Sequence, residues 1–132
     1  MLSQKTAPQQ LEITLTGNVP SKKNSRVRTR SGSYIPSKEF ADWQVDAMWQ
    51  VRQQTRERFF KPVAVDVTII FGRKSKSDLD NRLTSILDML VEALILRDDR
   101  YEYVPQMSAR AEYRKNEPGA IIRITEVAPV VQ

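Results

Sequence analysis

The stretch VAVDVTIIFGRKSKSDLDNRLTSILDMLVEALILRDDR, residues 63–100, decides the fold. Its opening, Val63 to Phe71, is β-branched and places Val65, Val67, Ile69 and Phe71 on one face, the period of a strand. Gly72 to Ser77 follows as a short basic loop carrying Arg73, Lys74 and Lys76. A helix is then expected from about Leu79 to Leu96, with Asp78 and Asp80 at its start and Asp98-Asp99 just beyond its end. Nine of the eleven residues from Ile86 to Leu96 are apolar, interrupted by Asp88 and Glu92. A helix lying with one face on a sheet needs a stripe, not a nearly complete cylinder. A second subunit covering the other side, in a symmetric homodimer, is the expected explanation; the alternative is a central helix covered by the chain's own N-terminal segment.

Working outward, Leu11 to Thr16 alternates apolar and polar and reads as a half-buried strand. Gly17 to Pro36 lacks periodicity and is read as a long basic loop with a turn at Ser31-Gly32-Ser33. Loops of that length inside compact domains tend to be functional. Ser37 is a suitable N-cap for a helix running to about Arg58, with Phe40, Trp43, Ala47, Met48 and Val51 on its apolar side. Two strands near Glu102–Arg114 and Ala120–Thr125, joined by a turn at Asn116-Glu117-Pro118-Gly119, close the chain. The order β-α-β-α-β-β predicts an α+β domain, a small mixed sheet with two principal helices. Residues 1–132 are read as one domain without internal repeats, and residues 1–10 as a flexible tail.

Charge and composition narrow the chemistry. The formal net charge is +5, distributed unevenly. Residues 1–38 hold seven basic side chains against Glu12 alone, a local net of +6, and residues 39–132 hold 14 basic and 15 acidic ones, a net of −1. Such asymmetry points to an acidic partner, most often nucleic acid. There is no cysteine and no histidine. That removes disulfides, thiolate zinc sites, imidazole ligands and the usual general base. Hydrolysis, if it occurs, is left to carboxylates holding a hard cation. No apolar run approaches the length of a membrane span and no secretory signal opens the chain, so a reducing cytoplasmic location is expected.

Asp78 and Asp80 have an ordinary explanation as helix-start residues opposing the helix dipole. An EF-hand loop is excluded, because counting from Asp78 puts Leu83 at the turn glycine and Met89 at the bidentate glutamate. Asp98-Asp99, flanked by Arg97 and Arg100, have an ordinary explanation as a charged turn. Nearly 20 residues of helix separate the two pairs, about 25 Å at about 1.5 Å per residue, which argues against one shared site. Asn81, Ser85, Asp88 and Glu92 form one polar stripe that lines a cleft or faces water. Asp66 lies on the strand face opposite Val65 and Val67.

At these residues the chain resembles the RusA-type Holliday junction resolvases, dimeric magnesium-dependent endonucleases of phage and prophage origin. The family pattern is Asp-Xaa-Asp-Asn at a helix start, an Asp eight residues after the second Asp, and an Asp-Asp pair after the helix. Asp78, Asp80, Asn81, Asp88 and Asp98-Asp99 match it in spacing. The run Pro20-Ser21-Lys22-Lys23-Asn24-Ser25-Arg26, after Gly17, resembles the family's basic loop, and the likeness covers most of residues 11–125. It implies that Asp78, Asp80 and Asp99 are metal-binding catalytic carboxylates, that the fold brings Asp99 back to Asp78 and Asp80, and that Asn81, Asp88 and Asp98 support them. One departure is Thr84, which stands where well-studied members carry a catalytic Lys. A hydroxyl cannot stabilise developing negative charge as an ammonium does. Arg82, Lys76 and Lys74 are the nearby cations.

The expectation is a Mg²⁺-dependent endonuclease, with Mn²⁺ as a substitute, that selects branched DNA by shape and resolves four-way junctions in recombination and repair. Lys22, Lys23, Arg26, Arg28, Arg30, Arg73, Lys74 and Lys76 are the expected phosphate-binding residues. The alternative of the same fold is a junction-binding protein whose catalysis is impaired at Thr84. A plain interaction domain, its carboxylates merely capping and solvated, is the third reading.

Overall fold

The computed structural model describes residues 7–21, 26–74 and 78–131. Expectations for the tail residues 1–6 and for Lys22, Lys23 and Lys76 fall outside the described residues, as does the Arg26 side chain.

Eight elements follow in order: β1 (Gln10–Thr16), β2 (Arg26–Arg28), β3 (Tyr34–Pro36), α1 (Lys38–Gln54), β4 (Val63–Phe71), α2 (Leu79–Glu92), β5 (Gln106–Tyr113) and β6 (Gly119–Glu126). β1, β6, β4 and β5 form one sheet in that spatial order. β6 is antiparallel to both β1 and β4, while β5 runs parallel to β4, so the sheet is mixed as expected. α2 is thus the crossover helix between two neighbouring parallel strands. The expected β-α-β-α-β-β order is present, with one addition. The segment read as a loop contains the β2–β3 hairpin, closed by Thr29 N–H donating to Ser33 O at 2.8 Å and Gly32 N–H to Thr29 O at 3.1 Å. Gly32 takes φ 87° in that turn, where a side chain is disfavoured.

Register sets the core. Val65, Val67 and Ile69 of β4 lie opposite Ile124, Ile122 and Ala120 of β6, which in turn face Leu11, Ile13 and Leu15 of β1. This face packs on Ala47 and Val51 of α1 and on Ile86, Met89 and Leu90 of α2, all buried. Gly119 has no room for a side chain, since a Cβ there would stand 2.3 Å from the Leu15 carbonyl oxygen.

Three boundaries differ from expectation, the first being β5, which starts at Gln106 rather than near Glu102. α1 stops at Gln54 rather than near Arg58, because Thr55 is extended (φ −159°) and its hydroxyl accepts the Glu57 N–H at 3.0 Å, a local bond that competes with helix. Its start agrees: the Ser37 hydroxyl accepts the Phe40 N–H at 3.1 Å. α2 stops at Glu92 rather than Leu96. Leu94 adopts φ 62°, its N–H donates to Val91 O at 3.0 Å, and Ile95 N–H reaches back to Leu90 O at 3.0 Å. That is a Schellman stop with leucine in the place usually taken by glycine, so the sequence carries no visible stop signal.

The apolar cylinder of α2 is covered from within the chain. Ile86, Met89, Leu90 and Ala93 are fully buried, and Leu87 nearly so. Ser85, on the supposedly polar stripe, is also fully buried and donates to Pro20 O at 2.7 Å, while Val19 beside it is buried. The N-terminal segment after β1 therefore closes over α2, and the cylinder is not itself a reason for a second subunit. No helix among the described residues is long and apolar enough to cross a membrane.

Candidate active site

β4 delivers the chain to the first acidic group at the start of α2. Asp78 is the N-cap residue (φ −76°, ψ 123°), yet its carboxylate makes no cap bond to a helix N–H. Its Oδ2 instead accepts the Asn81 side-chain amide at 3.1 Å. Capping therefore does not account for this side chain, and Asn81 orients it. Asp80, one residue into the helix, is exposed.

The residues beside this group hold defined positions. The Thr84 hydroxyl donates to the Asp80 carbonyl oxygen at 3.0 Å, so it turns back on its own helix. Arg82 is partly buried, with its guanidinium 5.0 Å from the centre of the Phe71 ring and hydrogen-bonded to the Val19 carbonyl oxygen. Burial pushes its pKa down from the ordinary arginine value. Arg82 thus ties α2 to β4 and to the N-terminal segment. Arg73 and Lys74 are exposed, the latter 5.4 Å from the centre of the Tyr113 ring. Arg73 and Arg82 line a concavity of about 590 Å³ with Asn18, Phe71, Gly72, Asn116 and Pro118. Sequence reading missed this concavity, because its walls come from four separate segments.

The second acidic group lies past the other end of α2. Asp88, Glu92, Asp98 and Asp99 line a smaller concavity with Phe40, Gln44 and Val91. The Asp99 N–H donates to Asp98 Oδ1 at 2.7 Å, and Arg100 pairs with Asp98 Oδ2 at 2.9 Å. These hold the Asp98 carboxyl below its usual range, the Asp99 N–H bond being the larger cause. Asp99 moves the other way: burial, then Asp98, and also the charge of Asp88 push its pKa up. The polar stripe therefore splits by function. Asn81 orients Asp78, Ser85 is internal, and Asp88 and Glu92 face the Asp98-Asp99 turn. Asp66 lies on the opposite face of the sheet, held by Ser108 at 2.6 Å and by Arg110 and Arg123, and its lowered pKa follows first from the Ser108 bond.

The carboxylates fall into two groups along α2. Asp78 and Asp80 stand at its start, and Asp98 and Asp99 lie beside Asp88, ten residues on from Asp78, about 15 Å of helix at about 1.5 Å per residue. Among the described residues, no three acidic side chains stand close enough to hold a metal ion. The turn after α2 brings Asp98 and Asp99 beside Asp88 and Glu92 on the last turns of the helix. The donor types do suit Mg²⁺, since they are hard carboxylate oxygens without sulfur or imidazole. Of the expected phosphate-binding residues, Arg28, Arg30, Arg73 and Lys74 are exposed. Arg28 and Arg30 stand on the β2–β3 hairpin and its turn, away from the β4–α2 loop in sequence.

What the fold and site define is a small α+β domain whose crossover helix carries carboxylates at both ends, beside exposed cationic groups. The model of one family, described as endodeoxyribonuclease RusA, matches residues 17–125. The chain belongs to that family. Among curated proteins it is similar to the crossover junction endodeoxyribonuclease RusA of Aquifex aeolicus (strain VF5), 26 % identical over 117 residues, which span 88 % of this chain and 91 % of the relative. Family membership supports a junction-resolving nuclease function in general.

Proposed function

We propose that this protein is a Mg²⁺-dependent endonuclease that resolves four-way DNA junctions, acting as a homodimer in which two chains complete each metal site. The observation that carries the reading is the separation of two acidic groups by one helix. Each group alone is incomplete, and both lie near cations that suit a phosphate backbone. Two chains packed with their α2 helices antiparallel bring the Asp78-Asp80 end of one towards the Asp98-Asp99 end of the other.

Asp78 and Asp80 from one chain, with Asp99 from the other, would hold the ion. When bound, a divalent cation polarises a phosphoryl oxygen and lowers the pKa of water for attack on phosphorus. Asn81 holds the Asp78 carboxylate through its amide. Asp98 and Asp88 raise the pKa of Asp99, and their negative charge draws a cation to the same place. Arg28, Arg30, Arg73 and Lys74 neutralise phosphates and position the duplex arms without reading bases. A two-fold dimer presents two such sites, matching two symmetry-related strands at a junction.

Cleavage of a synthetic four-way junction in Mg²⁺ tests this. Wild type should cut, and Asp80→Asn should lose at least about 100-fold in rate, the scale of losing a group that holds transition-state charge. Equal cutting by both proteins rules out the assignment.

One observation favours the second reading, a protein that binds junctions without cutting them. Thr84 is turned onto its own helix and Arg82 is docked on Phe71, so neither supplies the ammonium that the family places at position 84. Salt-dependent junction binding without cleavage in either Mg²⁺ or Mn²⁺, and cleavage gained by Thr84→Lys, would establish it.

A further inference from the structure

The two edges of the sheet are treated differently. The β1 edge is closed by side chains of α1. Gln54 accepts the Thr14 N–H at 2.9 Å and donates to Thr14 O at 2.7 Å. Gln50 does the same for Thr16, at 2.8 and 3.1 Å. Two glutamine amides thereby stand in for a neighbouring strand, satisfying the groups that make a bare edge prone to association.

The β5 edge has no such cover among the described residues. It is the outermost strand, pairs with β4 over eight consecutive residues without a bulge, and contains neither proline nor lysine. Met107, Ala109, Ala111 and Tyr113 lie opposite Val65, Val67, Ile69 and Phe71, so they continue the helix-side apolar face of the sheet. Yet Met107 and Tyr113 are 48 % and 47 % exposed. The core face thus runs out to an open apolar lip beside unpaired backbone.

We infer that β5 is the docking strand for a second copy of this chain, paired antiparallel with its counterpart about a two-fold axis at Ala111. This deepens the proposed function by naming the surface that joins the two half-sites.

Charge selects the occupant and the register. In antiparallel pairing, residues directly opposite share a face, so only registers that keep Ala109, Ala111 and Tyr113 on the helix side preserve the core face. Centring on Arg110 sets two arginines opposite one another. Centring on Glu112 opposes two glutamates and also sets Arg110 against Arg114. Centring on Ala111 pairs Arg110 with the partner's Glu112 twice over, sets Ala109 against the partner's Tyr113, and places Ser108 against the partner's Arg114. Opposite charges across strands are favourable and like charges unfavourable. The strand is therefore self-complementary in that register. Because α2 packs against β4 and β5 and runs opposite to β5, the same axis sets the two α2 helices antiparallel. That is the arrangement the two half-sites require.

The absence of cysteine makes the test direct. Ala111→Cys and Ala109→Cys are each oxidised under native conditions in the full chain, without DNA or metal. The Ala111→Cys protein should form a disulfide dimer, because Cβ atoms facing each other across an antiparallel pair stand about 4.5–5.5 Å apart. Ala109→Cys should not, being displaced from its counterpart by several residues along the strand. Glu112→Arg, at an exposed position, should raise the dimer dissociation constant at least about tenfold in sedimentation equilibrium while leaving the circular dichroism unchanged. A monomeric wild type, equal cross-linking at both positions, or an unchanged dissociation constant overturns the inference. A dimer linked through residue 111 that fails to cut junctions sinks the proposed function alone.

Discussion

The Asp99 main-chain N–H donates to the Asp98 carboxylate at 2.7 Å, and this one bond makes two adjacent acids unequal. Asp98 is drawn down, while Asp99 is pushed up by burial, by Asp98 and by Asp88. A carboxyl with a raised pKa in the folded state lowers stability once it is ionised. The penalty is absent below the unfolded-state value of about 3.9 and complete above the folded-state value. Asp99→Asn should therefore stabilise the protein at pH 7, by less than about 1 kcal/mol because the side chain is exposed to screening. The gain should fade towards pH 4 and vanish below it. Urea denaturation of wild type and variant across that range measures the difference. A variant less stable than wild type at pH 7 contradicts the account.

Leu94 has a separate consequence, for the fold rather than the site. A left-handed backbone at φ 62° costs a side-chain-bearing residue about 1 kcal/mol that glycine avoids. The Leu94 side chain is 51 % exposed, so little packing is lost with it. Leu94→Gly should raise stability by about 0.5–1 kcal/mol, since the helix stop no longer carries the strain. Thermal unfolding checks this, and a fall in melting temperature would mean that the exposed leucine is covered in the assembled protein.

The β1 edge gives a contrasting case. Gln54→Ala leaves the Thr14 N–H and carbonyl to water and removes two hydrogen bonds, at a cost of about 1–2 kcal/mol. It also exposes a second sheet edge. The expected outcome is lower stability together with concentration-dependent aggregation, seen by light scattering. Gln53→Ala, an exposed neighbour on α1, should show neither effect.

The legible parts of the chain were those governed by local periodicity. Val63–Phe71 and Leu11–Thr16 alternate or run apolar as strands must, and Ser37 announces the start of α1. The end of α2 was not legible, since Leu94 replaces the glycine that ordinarily marks such a stop. Which of the two expected covers lies on α2 was not legible for a related reason. Periodicity shows that a helix is apolar all round but not which segment lies on it, and here Val19, Pro20 and the buried Ser85 hydroxyl decide. The candidate site was legible as a set of residues and not as a geometry. Motif spacing picks out Asp78, Asp80, Asp88 and Asp98-Asp99. Only the fold shows that Asp88, Glu92, Asp98 and Asp99 line one concavity, walled by Phe40 and Gln44 of α1.

Two half-sites on one helix predict complementation between different inactive chains. Asp80→Asn disables one half-site and Asp99→Asn the other, so each homodimer should be inactive. In a mixed dimer, one composite site receives both substitutions and the other receives neither. Mixing the two variants should therefore restore cutting at one site per dimer, with nicked junctions exceeding paired cleavage. If subunits assort randomly, half of the dimers are mixed, and recovery approaches a quarter of the wild-type sites. If each chain instead carried a complete site, every site in the mixture would hold one substitution and no activity would return. A plasmid-borne junction, on which nicked and linear products separate, reads both outcomes. Recovery should rise with time as subunits exchange, and it should be absent when either chain also carries the interface substitution Glu112→Arg.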